Sequence, residues 1–316
     1  MNKIAIIFPG QGSQYVGMGK DFYLAYDSAK KIFQKADDIL GYPLSKIIFE
    51  GPENDLRITR HTQPAILTTS LAIWSVLKEE IDLAPSFMTG HSLGEYSALT
   101  ASGYIKFEDS INLVKSRGIF MDEATAQCPG SMAAVIGLER DELQKICEYI
   151  SNKGHIVQLA NINSTSQIVI SGEIEGVKLA SELAKDGGAK KIIPLAVNGA
   201  FHSILMDPAK AKLAPLLTGV NIKKSDVQIV MNVTGRPETN QLKIKSNLIE
   251  QVTSSVLWTD SIEWMINNGV DNFIEVGPGK VLTGLIKKIN NKVNIFNIEN
   301  VDSLTIFKKQ LKAVNQ

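Results

Sequence analysis

The chain alternates short, unbroken apolar runs with longer segments whose apolar residues recur every three or four positions. The first pattern suits a strand buried on both faces, the second an amphipathic helix. Lys3 to Phe8 predicts a strand, followed by the loop Pro9-Gly10-Gln11-Gly12-Ser13-Gln14. Helical spacing follows near residues 21–40, 63–80 and 107–125. Pro64 then falls in the first turn of the second helix, where amide N–H groups have no helical partner. Ala84 to Thr89 predicts a short strand and Glu95 to Ala101 a helix. Further on, Asn272 to Val276 predicts a strand, Gly277-Pro278-Gly279 a turn, and Lys280 onward a helix. Strands alternating with helices predict an α/β architecture.

One stretch has a different rhythm. Met132 to Leu138 predicts a strand, Asp141 to Ser151 a helix, and Ile156 to Asn161 and Gln167 to Ser171 two strands. Glu175 to Lys185 then predicts a helix and Lys190 to Leu195 a strand. The order β-α-β-β-α-β is that of a ferredoxin-like α+β unit. We therefore expect a small domain over 127–198, inserted into a large domain built from 1–126 and 199–316, with the ligand pocket in the cleft between them.

Composition narrows the function classes. In 316 residues, Lys+Arg and Asp+Glu are 33 each, so no global basic field points to nucleic acid. Cys128 and Cys147 lack metal-ligand spacing and read as core thiols in a reducing setting. The stretch His61 to Leu77 is uncharged but interrupted by Gln63, Thr68, Thr69 and Ser75, short of the roughly 20 apolar residues a membrane span needs. A soluble, cytoplasmic protein is expected, without membrane or nucleic-acid partner. No His/Cys/Asp/Glu cluster has metal spacing. Gly10-Gln11-Gly12 lacks the third glycine of a dinucleotide loop, and Gly277-Pro278-Gly279-Lys280 lacks the spacing of a phosphate loop. No cofactor is expected.

The most informative segment is Thr89-Gly90-His91-Ser92-Leu93-Gly94-Glu95-Tyr96. It fits G-x-S-x-G, in which a serine sits exposed on a tight strand-to-helix turn that only glycines at the flanking positions accommodate. The helix after it aims backbone N–H groups and a positive dipole end at a developing oxyanion. A serine hydroxyl also needs a base within hydrogen-bond reach. Of four histidines, His91 adjoins the serine but the turn would point it away, while His61 and His155 read as capping or surface residues. His202 follows the last strand of the small domain, at the expected cleft. From position alone it is either the base or a structural histidine. On the helix near 107–125, Ile111, Val114, Gly118 and Met121 form an apolar stripe with Arg117 at its edge. Arg117 either snorkels to water or enters the cleft to grip a carboxylate, and periodicity does not decide between them.

Taken together, the segments resemble the malonyl-CoA:acyl-carrier-protein transacylase family over nearly the whole chain. The matching stretches begin with Phe8 to Gln14, Thr62-Gln63-Pro64-Ala65-Ile66, Gly90 to Tyr96 and Arg117-Gly118. Gly199-Ala200-Phe201-His202-Ser203, Gln251-Val252-Thr253-Ser254 and Glu275 to Lys280 complete them. The resemblance implies a hydrolase-like core with a central parallel sheet plus the inserted ferredoxin-like domain. It implies malonyl-CoA and acyl carrier protein as partners in a ping-pong reaction through a malonyl-serine. Ser92 would be the nucleophile and His202 its base, with the main-chain carbonyl of Gln251 orienting the histidine. Arg117 would hold the malonyl carboxylate, and the backbone N–H groups of Gln11 and Leu93 would form the oxyanion hole. Ile204, Ser255 and Leu257 depart from the family pattern, Ile204 at the expected pocket rim. Other readings are a trans-acting acyltransferase of a polyketide synthase, a serine thioesterase with a carboxylate behind His202, and a non-catalytic acyl-CoA-binding protein.

Overall fold

The computed structural model describes residues 3–197 and 199–314; the boundary residue Asn198 and both chain ends of the expected domains lie outside the described residues. A six-stranded sheet takes the order β10-β9-β1-β2-β7-β8. Its strands are β1 (Lys3–Phe8), β2 (Phe87–Gly90), β7 (Gln228–Met231), β8 (Arg236–Glu238), β9 (Val270–Val276) and β10 (Asn294–Ile298). A four-stranded sheet takes the order β4-β5-β3-β6, from β3 (Gly130–Ile136), β4 (Val157–Ser164), β5 (Gln167–Glu173) and β6 (Lys191–Pro194).

The unbroken apolar run of β1 has a direct cause. Ile6 and Phe8 belong to the apolar cluster on one face of the sheet and Ala5 and Ile7 to that on the other. Successive strand residues point to opposite faces, so a strand covered on both sides needs apolar residues throughout. β1 pairs in parallel with β2 and β9, which sets the end of β1 beside the start of the Gly90–Gly94 turn.

The expected parallel sheet is in fact mixed, because β8 runs antiparallel to β7 at one edge. Its three residues are Arg236-Pro237-Glu238, and a proline between two charges carries no strand pattern. Proline is tolerated there because an edge strand need not donate every ladder bond. The helix expected over 63–80 begins earlier, at Thr59, so Pro64 lies beyond the first turn. His61 and Thr62 close that turn on the Ile58 carbonyl through bonds of 2.8 and 2.9 Å.

The four-stranded sheet is antiparallel throughout. One face packs Val135, Leu159 and Ile170 against Leu143, Cys147 and Val177 of the helices Arg140–Ser151 and Ile174–Asp186. The other face gives Met132, Ala134 and Val169 to the core shared with the large sheet. Val256, between the helices Gln241–Glu250 and Trp258–Asn267, bridges to β4: Ile162 N–H donates to Val256 O at 2.9 Å and Val256 N–H to Ala160 O at 2.8 Å. Among the described residues, no helix is long and apolar enough to cross a membrane.

Candidate active site

The turn after β2 is shaped by close backbone contacts. A Cβ on Gly90 would stand 2.1 Å from the carbonyl of Gly94, and one on Gly94 would stand 2.1 Å from the oxygen of Phe8. Only glycine fits at either position. His91 N–H donates to Phe8 O at 3.0 Å and Gly94 N–H to His91 O at 2.9 Å, closing the turn into the helix Gly94–Ala101. Between them Ser92 adopts a left-handed φ of 51°, a strained state for a residue with a Cβ. The strain is held by Asn232, at the end of β7. Its Oδ1 accepts from Ser92 N–H at 2.8 Å and its Nδ2 donates to Gly90 O at 2.8 Å.

His202 comes from the segment that returns from β6, and it too is left-handed, with φ 58°. Its Nε2 lies 2.8 Å from Ser92 Oγ and its Nδ1 lies 2.8 Å from the main-chain oxygen of Gln251. A carbonyl oxygen only accepts, so Nδ1 carries the hydrogen and Nε2 presents a lone pair to the serine hydroxyl. The ring is buried. Burial first, and then the nearby Arg117 charge, lower its pKa to about 3, against the opposing pull of the Gln251 carbonyl. Neutral imidazole is the form present. No carboxylate among the described residues hydrogen-bonds to it. Gln158 of β4 fixes the surroundings, donating to His202 O at 3.2 Å and to Thr253 O at 3.1 Å.

Arg117 sits on the helix Phe107–Gln127 and is only 1% exposed, so it does not snorkel. Gly118 permits the close packing: a Cβ there would stand 2.7 Å from Arg60 Cα, at the start of the helix Thr59–Glu80. Nη1 donates to Gln63 Oε1 at 2.8 Å. Nη2 donates to Ser92 Oγ at 3.2 Å and to Gln251 Oε1 at 3.1 Å. Cζ stands 5.7 Å from the centre of the Tyr96 ring, within range of a cation–π contact. Nε–H is buried with no acceptor among the described residues.

Beside this group opens a cleft of about 740 Å³ lined by the loop residues Gln11 and Gly12, by Arg57 and Thr59, and by Leu195 and Phe201 beyond β6. It thus lies where the segment leaving the four-stranded sheet meets the end of β1. Leu93 directly follows Ser92 and precedes the first helical residue. Among the described residues, neither the Gln11 nor the Leu93 main-chain N–H donates to a protein acceptor.

The other histidines stand apart from this group. His91 Nε2 pairs with Asn163 Oδ1 at 2.9 Å and its ring packs on Trp258. His61 Nδ1 contacts Asp55 O at 2.9 Å, while the His155 side chain is 41% exposed. Ile204 is half exposed and lies outside the cleft lining, its N–H donating to Gln158 Oε1 at 3.1 Å. Ser255 donates to Leu159 O and Leu257 N–H to Asn232 O, so the segment carrying both departures from the family pattern ties β4 to the residue that follows β7.

Four contributors were not singled out from sequence: Gln63, Glu95, Asn232 and the side chain of Gln251, all fully buried. Gln63 had a signal, as a polar residue in the uncharged stretch from His61 to Leu77. Glu95 had none, since an acidic residue in a first helical turn is ordinary. Burial pushes its pKa up to about 8, against the hydrogen bonds from Asn232 and Gln251 and the charge of Arg117.

The model of the acyl transferase domain matches residues 5–314. The malonyl CoA-acyl carrier protein transacylase of Bacillus subtilis (strain 168) is 46% identical over 315 residues, covering 100% of this chain and 99% of that protein. The crystal structure of malonyl CoA-acyl carrier protein transacylase from Clostridium perfringens superposes with a TM-score of 0.95 at 41% identity, covering 99% of this chain and 98% of that one. A malonyl-transacylase in complex with its type II polyketide synthase acyl-carrier protein gives 0.93 at 41% identity, covering 96% and 98%. By fold, chain-long identity and family model, the chain belongs to the acyl transferase domain family, among the malonyl CoA-acyl carrier protein transacylases.

Proposed function

We propose that this acyltransferase moves the malonyl group from malonyl-CoA to the phosphopantetheine thiol of acyl carrier protein, through an ester on Ser92. The observation that carries the reading is the chain Gln251 O, His202, Ser92 Oγ, with a buried guanidinium 3.2 Å from the same hydroxyl. Ser92 Oγ attacks the thioester carbonyl as its proton passes to His202 Nε2. The tetrahedral oxyanion is met by the N–H groups of Gln11 and Leu93, at the positive end of the helix Gly94–Ala101. Collapse breaks the C–S bond, and His202 returns its proton to the departing coenzyme A thiolate. The carrier thiol then gives its proton to His202 and attacks malonyl-Ser92; the new C–S bond forms, the ester C–O bond breaks, and His202 Nε2 returns the proton to Ser92 Oγ. Arg117 receives the free malonyl carboxylate, for which its unpartnered Nε–H supplies a donor. Gln251 orients the ring through its carbonyl.

Transfer is favoured over hydrolysis because a carbonyl orients imidazole but stabilises imidazolium less than a carboxylate would. That suffices for a thioester without strongly activating water. The relative solved with a type II polyketide synthase carrier keeps a second reading in view, loading of a polyketide rather than a fatty-acid carrier. A reducing cytoplasm suits the two free cysteines.

The four-stranded unit we read as a ferredoxin-like domain at about 127–198, inserted between parts 1–126 and 199–316 of a hydrolase-like domain. Its strand order and its own apolar cluster support that division.

The decisive experiment is intact-mass spectrometry after exposure to malonyl-CoA. One malonyl group should add to the wild-type chain and none to Ser92→Ala. An adduct that survives the substitution removes Ser92 from its role. Parallel transfer assays with fatty-acid and polyketide carrier proteins separate the two carrier readings.

A further inference from the structure

Glu95 is fully buried, three residues beyond the elbow serine, and makes two contacts, both as acceptor. One oxygen takes the main-chain N–H of Asn232 at 2.6 Å and the other takes Nε2 of Gln251 at 2.5 Å. The second contact settles which way the Gln251 amide faces. With Nε2 turned towards Glu95, and also 2.9 Å from Ser92 O, its Oε1 is left to accept from Arg117 Nη2 at 3.1 Å. A flipped amide would set its N–H₂ against the guanidinium and its oxygen against the carboxylate, opposing like partners at both ends.

We propose that Glu95 is a positioning residue that sets acyl selectivity, locking the Gln251 amide so that its oxygen holds the Arg117 guanidinium beside Ser92. The inference rests on the roles proposed for Ser92 and Arg117. Placing the carboxylate one residue away from the guanidinium has a consequence of its own. A direct ion pair would fill the N–H groups that a substrate carboxylate must use, and a buried guanidinium with no nearby anion would be costly. Glu95 reaches the guanidinium only through the intervening amide, by hydrogen bonds rather than an ion pair, and so leaves Nε–H free. The Asn232 contact serves the same end, since Asn232 Oδ1 also holds Ser92 N–H and lies 3.3 Å from Gln251 Nε2.

The test measures Ser92 acylation by malonyl-CoA and by acetyl-CoA in the full chain, for wild type, Glu95→Gln, Gln251→Leu and the double variant. Glutamine at 95 has one acceptor oxygen for two incoming donors, so it cannot keep both contacts. Glu95→Gln should lower the malonyl-to-acetyl ratio of kcat/KM by about tenfold to a hundredfold, mostly through a higher KM for malonyl-CoA. Gln251→Leu keeps the main-chain carbonyl facing His202 and should lower the ratio similarly. Because the effect passes through that amide, the double variant should lose no more than Gln251→Leu alone. A purely structural carboxylate would reduce the active fraction for both donors alike, and an unchanged ratio in Glu95→Gln overturns the proposal. Should that variant fail to fold, an unchanged ratio in Gln251→Leu overturns it equally. A wild-type chain that takes up no malonyl group sinks the functional reading itself, so the two failures are told apart.

Discussion

His202 donates from Nδ1 to the main-chain oxygen of Gln251 across 2.8 Å, where a serine hydrolase places a carboxylate. A neutral partner fixes the tautomer but gives little help to an imidazolium, and water is a harder nucleophile to activate than a thiol. The malonyl ester should therefore outlast its exposure to water. With carrier protein absent, its hydrolysis is expected to be on the order of a hundredfold slower than its discharge to carrier thiol. A time course of the adduct by intact mass, with and without carrier, measures both rates. Equal rates would make the protein a thioesterase.

The same ring predicts an unusual pH response. His202 accepts a proton only when neutral, and burial lowers its pKa from 6.5 to about 3. It therefore stays competent as pH falls through 6.5. The logarithm of the acylation rate should show no inflection near 6.5 over roughly pH 5 to 7, the range in which an ordinary histidine titrates. Stability carries the opposite sign. Between about 3 and 6.5 the unfolded chain binds a proton that the folded one does not, so this contribution is complete above 6.5 and declines as pH falls below it. Chemical denaturation across that window should show a shallower decline for His202→Ala than for wild type. In that variant acylation should drop by about 10² to 10⁴ with the fold retained. A normal rate would point to a different base.

Arg117→Ala removes the guanidinium from beside Ser92 and leaves Gln63 Oε1 and Gln251 Oε1 without their donor. Malonyl loses a charged partner while acetyl loses none. The malonyl-to-acetyl ratio of acylation should fall by roughly 10² or more, the scale expected for one buried charged hydrogen-bonded pair. Competition between the two acyl-CoAs, read by mass spectrometry, checks it. An unaltered preference would leave the arginine a purely structural role.

Some of this was legible in the residues and some was not, for identifiable reasons. The buried run of Lys3–Phe8 and the G-x-S-x-G turn announce themselves because their physics is local: two covered faces and a glycine-only turn. The β-α-β-β-α-β order was legible from periodicity. The edge strand Arg236–Glu238 was not, since its proline and charges are tolerated only by an edge. His202 and Arg117 needed the family resemblance, because their meaning lies in contacts with Ser92 across 110 and 25 residues. Asn232 and Glu95 were missed because one reads as a turn residue and the other as a favourable first-turn acid. Only their convergence on Ser92 and Gln251 in space gives them weight.

The elbow glycines offer the sharpest test of that local physics. The atoms that would meet a Cβ at Gly94 are the carbonyl oxygens of Phe8 and Pro9, and Phe8 ends a strand paired on both sides. At Gly90 the obstacle is the Gly94 main chain itself. Neither obstacle is the end of a flexible side chain, so the clash can be relieved only by moving β1 or the turn. Gly94→Ala should cost about 1–3 kcal/mol or more of stability, as overpacking does in a tight core. Because the displaced segment carries Ser92 and the Leu93 N–H, acylation per folded molecule should fall more steeply than stability does. Gly219→Ala is the control, for a Cβ there meets nothing within 4 Å. Denaturation midpoints and malonyl uptake measured on the same samples decide the matter. Full uptake by a stably folded Gly94→Ala would mean that the turn tolerates a side chain and that its geometry is not what places the serine.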